Sequence, residues 1–458
     1  MTKDMTKGNP VKLIVAFFIP LMLGSLFQQF YSMVDAIVVG KFVGVNALAG
    51  VGATGSLNFL IIGFTNGICS GFAIMFGQSF GAKDFSLMRR YIANAIYLAA
   101  AVAVVLTPLT VILSRPILRM MNTPDEIIND ACIYIQIIFA GLSVTMMYNA
   151  GSAILRALGD SRTPLYVLFL SSALNIVLDL VFVIAFRMGV AGVGIATVIA
   201  QAVSGIVCFI YMFKKYPVLK FVKQEWYVDI GHMKRLLSVG LPMALQFSIT
   251  AVGSIIMQIA VNGLGAASVA AMTAANKIHL IFSCTLETVG IAMATYCSQN
   301  MGARKYKRIR QGITSANILA CGIAVFDCAI LTLFGRYLAL LFLDSSETAI
   351  MAEAQMYLNV TSLAYPLLAI LFVLRNSIQG MGYGLLPMMA GLCELIGRII
   401  VAFGLVGKYG FFGATLASPV AWIAADLLLV GVYYYIRQHE SGGSLNKRSD
   451  YFKDDRIY

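Results

Sequence analysis

The sequence predicts an all-α polytopic membrane protein, with twelve transmembrane helices arranged as two six-helix bundles related by a pseudo-twofold axis along the membrane normal. Three observations predict it. Long apolar runs recur along the whole chain, basic residues fall on alternate connections, and the second half repeats the punctuation of the first.

Of 458 residues, 59% are hydrophobic and only 12% charged, too apolar a balance for a water-soluble chain. Twelve apolar runs stand out, at about 13–39, 48–78, 91–113, 131–155, 164–186, 190–213, 234–261, 266–298, 312–341, 353–378, 386–407 and 412–436. Most reach ~20 residues, enough for a helix to cross ~30 Å of hydrocarbon. Helices follow because lipid offers no partner to an unpaired backbone amide. The ~10-residue alternating segments of an outer-membrane barrel do not fit runs this long. The first run exceeds the ~7–15-residue core of a cleavable signal, and no small-residue cleavage site follows it, so it is expected to stay as the first helix.

The charge fixes an expected orientation. With the N-terminus inside, the inner segments hold 25 Lys and Arg and the outer segments six, with Arg375 counted among the inner connections and Lys277 and Arg398 inside helices. This positive-inside bias places both termini in the cytoplasm. The net charge of +12 therefore reads as orientation and contact with anionic lipid, and no nucleic-acid partner is expected.

The repeat divides the chain. Pro20 answers Pro242, GQSFGAK at 77–83 answers SQNMGAR at 298–304, LGDSRTP at 158–164 answers MGYGLLP at 381–387, and GVAGVGIAT at 189–197 answers GFFGATLAS at 410–418. The expected organisation is an N-lobe at 1–213 with helices one to six, a cytoplasmic linker at 214–233, a C-lobe at 234–437 with helices seven to twelve, and a cytoplasmic tail at 438–458. Both units insert the same way up, which is a parallel-repeat transporter plan with a cavity between the lobes.

Polar residues break the repeat. Asp35 answers Met257, Asn175 answers Arg398, and Asp179 answers Ala402. A carboxylate facing lipid costs roughly 2.5–3.5 kcal/mol on insertion scales, so an acid kept in one half only is a candidate for function. Six acids lie in the apolar runs: Asp35, Asp179, Glu287, Asp327, Glu394 and Asp426. Asp35 near the outer end of helix one, Asn175 and Asp179 one turn apart on helix five, and Thr197 on helix six fall at one level. In the C-lobe, Glu394 has Arg398 one turn away and a local ion pair is expected; Lys277 and Glu287 share helix eight, and Asp327 and Asp426 lack local partners.

A desolvated carboxylate pair suits proton coupling, and two carboxylates with an amide, a hydroxyl and a carbonyl oxygen also offer the hard ligands an alkali cation needs. No Walker sequence, HExxH or transition-metal spacing occurs, and His232, His279 and His439 are scattered, so no cofactor beyond a coupling H⁺ or Na⁺ is expected. The eight cysteines fall inside predicted helices with no CxxC pair and read as packing residues.

FQQFYSMVDAIVVGKFVG at 27–44, GQSFGAKD at 77–84, ILRALGDSRTP at 154–164, NIVLD at 175–179, GVAGVGIAT at 189–197 and RNSIQGMG at 375–382 resemble the multidrug and toxic compound extrusion (MATE) transporters over nearly the whole chain, closest to the prokaryotic DinF-like and MepA-like branch. The resemblance implies the MATE/MOP-type fold and a monomeric, multi-pass antiporter of a prokaryotic plasma membrane that expels cationic amphipathic drugs against H⁺ or Na⁺. It implies an N-lobe cation site at Asp35, Asn175, Asp179 and Thr197 with the Val193 carbonyl, a helix-one bend at Pro20, and cavity positions at Gln28, Tyr31 and Asn149. The sequence departs from the NorM-like Na⁺-coupled pattern, which adds acids on helices seven and ten; here 234–261 contains no acid. A C-lobe role for Lys277, Glu287, Asp327, Glu394 and Arg398 stays open.

Other classes fare less well. A flippase for lipid-linked oligosaccharide or peptidoglycan precursor shares the tandem-bundle plan but calls for cavity cations to hold pyrophosphate, and the sequence offers Lys277 and Arg398. A membrane enzyme needs a nucleophile or metal constellation, which does not occur, and a channel does not need the two-lobed repeat.

Overall fold

Asn9 opens the first helix. Its side chain accepts the Lys12 backbone N–H at 3.3 Å, and Pro10 follows at the first helical position, where its missing N–H is no loss. The structure is a computed structural model that describes residues 3–441 apart from 122 and 345, with the backbone alone for 439–441. The expected tail at 438–458 therefore lies outside the described residues from 442 onward, as does the His439 side chain.

Before the linker, the N half comprises α1 (Pro10–Val38), α2 (Val45–Ala53), α3 (Gly55–Gly81), α4 (Phe85–Met120), α5 (Asp125–Ala140), α6 (Leu142–Ala157), α7 (Arg162–Leu180) and α8 (Gly189–Lys215). After it, the C half comprises α9 (Ile230–Asn262), α10 (Ala266–Gly302), α11 (Tyr306–Ala339), α12 (Thr348–Leu363), α13 (Tyr365–Gly380), α14 (Leu385–Gly404), α15 (Val406–Thr415) and α16 (Ala417–Ser441). π-helical segments Val39–Val43 and Val181–Ala185 extend α1 and α7.

Among the described residues, ten helices are long and apolar enough to cross a membrane, and the bent pairs α5–α6 (51°) and α12–α13 (50°) bring the number to twelve. The runs at 131–155 and 353–378 are thus broken spans rather than single straight helices. At the first break Gly141 lets Val198 of α8 approach, since a Cβ there would lie 2.8 Å from Val198 Cγ1. At the second, Pro366 opens α13 without an N–H for the ladder. The run at 48–78 likewise breaks at Thr54, between α2 and α3.

Two boundaries move. Asp229 caps α9 by accepting the His232 N–H at 3.1 Å, so the helix starts at Ile230 and takes the last four residues of the expected linker. Arg375, counted as an inner connection, lies inside α13 and is 6% exposed; its guanidinium donates to Glu394 at 3.0 Å.

The rest of the linker is pinned to α4. Arg89 donates twice to Glu225 at 2.7 Å, Ser86 donates to it at 3.0 Å, and Asn94 accepts the Asp229 N–H at 2.9 Å. Burial would raise the Glu225 carboxyl, but the Arg89 bond, the Val222 N–H and Ser86 together hold it below the usual carboxylate range. Large exposed apolar side chains such as Ile112 (α4), Leu333 (α11), Phe403 (α14) and Leu427 (α16) form the outer surface, as lipid contact requires.

The backbone repeats as the sequence does. Positive φ occurs at the paired positions Gly44 and Gly265, Lys83 and Arg304, Gly159 and Gly382, and Gly189 and Gly410. The seams between the halves differ. On α3 the glycines 63, 67 and 71 let α9 approach backbone to backbone: a Cβ on Gly67 would lie 2.7 Å from Ala244 Cα, and one on Gly71 would strike Gly240. At the equivalent seam of α1 with α10, those positions hold Cys284, Thr288 and Ala292.

On the face that carries the linker, paired glutamines cross between the halves. Gln78 donates to the Gly380 carbonyl at 3.2 Å, and its repeat mate Gln299 donates to Ala157 at 2.8 Å. The N-terminal segment lies over this crossing. Met5 is fully buried; its N–H donates to Gln299 at 2.9 Å, and its carbonyl accepts from Asn300 at 3.2 Å and Arg308 at 3.1 Å.

Candidate functional site

Helical spacing sets the site. Tyr31 and Asp35 stand one turn apart on α1, Asn175 and Asp179 on α7, and Val193 and Thr197 on α8, and α7 packs against both α1 and α8. Asp179 and Asn175 are buried, at 0% and 1% exposure, whereas Asp35, Tyr31 and Thr197 are half-buried at the open side of the cluster.

Asn175 is the hub. With its amide oxygen toward the Thr197 N–H (3.2 Å), every contact pairs a donor with an acceptor. The two hydrogens of the amide nitrogen then serve Asp35 Oδ1 at 3.1 Å and Asp179 Oδ2 at 3.2 Å, with the Tyr31 hydroxyl beside them at 3.3 Å. The Asp35 carboxyl, the Asp179 carboxyl and the Tyr31 hydroxyl thus gather around one nitrogen, close enough to interact with one another. Thr197 Oγ1 donates to the Val193 carbonyl at 3.0 Å. Asp179 Oδ1 is buried with no hydrogen-bond partner among the described residues.

Two carboxyl groups in contact need a proton or a cation between them. Bare anions are costly in this apolar surrounding, so a proton or cation shared by Asp35 and Asp179 would relieve their repulsion. Two carboxylates, the Thr197 hydroxyl and the Val193 carbonyl supply hard oxygen donors. Hard oxygen donors of this kind suit a proton or an alkali cation, whereas transition metals favour imidazole and thiolate.

Both π segments follow the acids directly, Val39–Val43 four residues after Asp35 and Val181–Ala185 two after Asp179, and they touch each other. A π turn absorbs an extra residue in a helix and recurs at functional sites. Here each lies where the N half is longer than the C half, between Pro20 and Gly44 and between Pro164 and Gly189.

Tyr134 of α5 is a residue that sequence reasoning missed. It lies within electrostatic reach of both Asp35 and Asp179. A lone tyrosine in an apolar run carries little signal, and the one available was its persistence as Tyr357 in the second repeat.

The other expected positions are dispersed. Pro20 is buried within α1, Gln28 is exposed one turn before Ser32, whose hydroxyl donates to its carbonyl at 3.0 Å, and Asn149 is half-buried on α6. In the C half, Lys277 is exposed and Glu287 half-buried on α10. Asp327 accepts from Thr285 at 3.3 Å. Glu394 stands between two cations, 3.0 Å from Arg375 and 3.9 Å from Arg398, so the expected i,i+4 pair is the longer of two. Both oxygens of Asp426 are buried without hydrogen-bond partners among the described residues.

Comparison with known proteins follows the same pattern. The MatE family model matches twice, over residues 20–181 and 242–403. The chain is 27% identical over 449 residues to the probable multidrug resistance protein YoeA of Bacillus subtilis strain 168, covering 95% of this chain and 96% of that protein. It is 28% identical over 383 residues to the probable multidrug resistance protein YpnP of the same organism, covering 83% and 84%. The solved structure described as the outward-facing conformation of a multidrug resistance MATE family transporter of the MOP superfamily superposes with a TM-score of 0.86 over 96% of this chain and 98% of that one. At 22% identity that last likeness shows the fold.

Proposed function

The chain belongs to the MatE family, whose members are transporters rather than enzymes, and on that premise we propose that it is a secondary active antiporter that expels cationic amphipathic compounds in exchange for H⁺ or Na⁺. The observation that carries this reading is the Asp35–Asn175–Asp179 cluster, two carboxyl groups in contact around one amide in an apolar bundle. Relatives named as probable multidrug resistance proteins support the substrate class.

In this reading the N-lobe is 1–213 and the C-lobe 234–437, joined by a cytoplasmic linker, with both termini on the cytoplasmic face of a prokaryotic plasma membrane. The substrate cavity lies between the lobes, with Gln28, Tyr31 and Asn149 among its walls. The protein works as a monomer in the bilayer and needs no resident cofactor. Val193 and Thr197 complete the oxygen set around the coupling ion.

The mechanism rests on competition. Ion uptake neutralises Asp35 and Asp179 and changes how α1 packs on α7 and α8; α1 then shifts about Pro20, where the helical ladder lacks a donor. Drug and ion weaken each other's binding by linkage, on a usual scale of about 1–3 kcal/mol. The test is dye transport in proteoliposomes with H⁺ and Na⁺ gradients imposed independently. Efflux driven by either gradient supports the reading. No transport of any cationic dye, with movement of lipid-linked sugars instead, supports the flippase alternative and overturns it.

A further inference from the structure

The C half contains the counterpart of the carboxylate cluster, and its contents are inverted. Pro20 and Pro242, Pro164 and Pro387, and Gly189 and Gly410 anchor the correspondence on each side. Tyr31 then answers Gly253, Asp35 answers Met257, Asn175 answers Arg398, and Asp179 answers Ala402. Both carboxylates are gone, and a guanidinium stands where the amide hub stood.

The exchange is steric as well as electrostatic. A Cβ built on Gly253 would lie 3.0 Å from Arg398 Nη1 and 3.1 Å from its Cδ, so the arginine lies where a larger residue at 253 would project. Nη1 donates to the Thr250 carbonyl at 3.3 Å and the Ser254 hydroxyl at 3.5 Å on α9, while Nη2 stands 3.9 Å from Glu394 on α14. Tyr357, the mate of Tyr134, is within electrostatic reach of the guanidinium and donates its hydroxyl to Asn276 of α10 at 2.7 Å.

We propose that Arg398 is a built-in substitute for the exchangeable cation: its guanidinium fills the C-half counterpart of the coupling site, fastens α9 to α14, and confines ion coupling to the N half. This rests on the reading of the N half as the coupling site. Two further asymmetries agree with it. The glycine seam of α3 clamps α9 from the other side, whereas α1 meets α10 across larger side chains. The π turns that follow Asp35 and Asp179 have no counterpart in α9 or α14. Thus α1 can shift while its mate α9 is held. Arg398 acts here as a positioning residue.

Other titratable groups face this place. Glu394 lies on α14 itself, Tyr357 on α12 and His279 on α10, with Arg375 of α13 and Asp426 of α16 beyond Glu394. The test must therefore separate ion response from simple loosening. In the full-length protein in proteoliposomes, biosynthetically incorporated spin labels at the exposed pair Ile37 and Val177 report α1 against α7, and the equivalent exposed pair Ile259 and Ile400 reports α9 against α14.

On a pH or Na⁺ step, the first distance is expected to shift and the second to stay fixed. In Arg398→Ala the second distance broadens and dye efflux slows at least severalfold; Arg398→Lys, or low-millimolar guanidinium added to Arg398→Ala, restores both. Rescue by a free cation is a result that a purely structural role does not produce. A wild-type Ile259–Ile400 distance that moves as much as the first overturns the inference, as does an Arg398→Ala protein that behaves as wild type or is rescued by neither. If Arg398→Ala does not fold, the wild-type comparison and Arg398→Lys decide. A silent Ile37–Val177 pair defeats the N-half coupling reading itself, and the inference with it.

Discussion

Asp35 of α1 and Asp179 of α7 bring their carboxyl groups together on one amide, that of Asn175, which donates to both at 3.1 and 3.2 Å. Two such groups cannot share that place as bare anions in an apolar bundle. The same contact is a joint between two helices, so whatever ion occupies it also sets how α1 lies on α7.

Neutralising the first acid separates these roles. Asp35→Asn keeps the shape and one hydrogen bond but cannot exchange charge, so coupled dye efflux is expected to fall to background with expression and thermal stability nearly unchanged. Asp179→Asn impairs efflux as well, and Thr197→Val, which loses one oxygen, weakens ion dependence more modestly. Wild-type efflux by Asp35→Asn in proteoliposomes would reduce that residue to scaffolding.

Asp160 tests the architecture rather than the transport step. It accepts the Thr163 N–H at 3.0 Å, the Thr163 hydroxyl at 2.6 Å and the Arg162 N–H at 3.1 Å, as well as the Tyr216 hydroxyl, tying the start of α7 to the end of α8. Burial by itself would raise this carboxyl, but the hydrogen bonds together hold it below the usual carboxylate range. Its stabilisation is therefore present above the unfolded carboxyl pKa of about 4 and lost as pH falls through the lower folded value. Asp160→Asn should lower thermal stability by about 1–3 kcal/mol at neutral pH, with the gap closing below about pH 4. A pH-independent gap would mean that the charge contributes nothing.

The N-terminal segment offers a third test. Arg308 donates to the Gly8 carbonyl at 2.8 Å and the Met5 carbonyl at 3.1 Å, and Lys305 donates to Thr6 at 2.7 Å. A hydrogen bond from a charged donor contributes about 1.5–3 kcal/mol, so Arg308→Ala should speed hydrogen exchange at residues 5–8 at least about tenfold. Unchanged exchange there would show that Arg308 does not hold the segment.

The glycine seam yields a graded series. A Cβ on Gly63 meets Phe247 Cβ at 3.3 Å, whereas one on Gly67 meets the Ala244 backbone at 2.7 Å. Gly63→Ala should cost little, because a 3.3 Å contact with one carbon is relieved by a shift of a few tenths of an ångström. Gly67→Val should lose about 1–3 kcal/mol or more, since backbone cannot yield, and melting of the purified variants checks the order. Equal losses would contradict the close α3–α9 packing.

The sequence made the acids legible because a carboxylate in an apolar run is conspicuous, and i,i+4 spacing put Asn175 and Asp179 on one face. Tyr134 was not conspicuous, because tyrosine is common in apolar helices. The Glu394 partner of Arg375 was not legible because the two residues are 19 apart on separate helices. Met5 was overlooked because a polar terminus gives no sign that its backbone carbonyls are wanted by Asn300 and Arg308 on other helices. The π turns left a trace only in the repeat spacing, which shortens by one residue between Pro20 and Gly44 and by two between Pro164 and Gly189.

The central claim is that drug and ion compete through Asp35. The most direct measurement is a titration of a fluorescent cationic drug onto purified protein from about pH 5.5 to about pH 8.5, with and without Na⁺, for wild type and Asp35→Asn. The account predicts that wild-type affinity falls as protons or Na⁺ are supplied, by roughly 5- to 150-fold, and that the Asp35→Asn curve is flat. A wild-type affinity that responds to neither ion, or a mutant that responds as the wild type does, would contradict it.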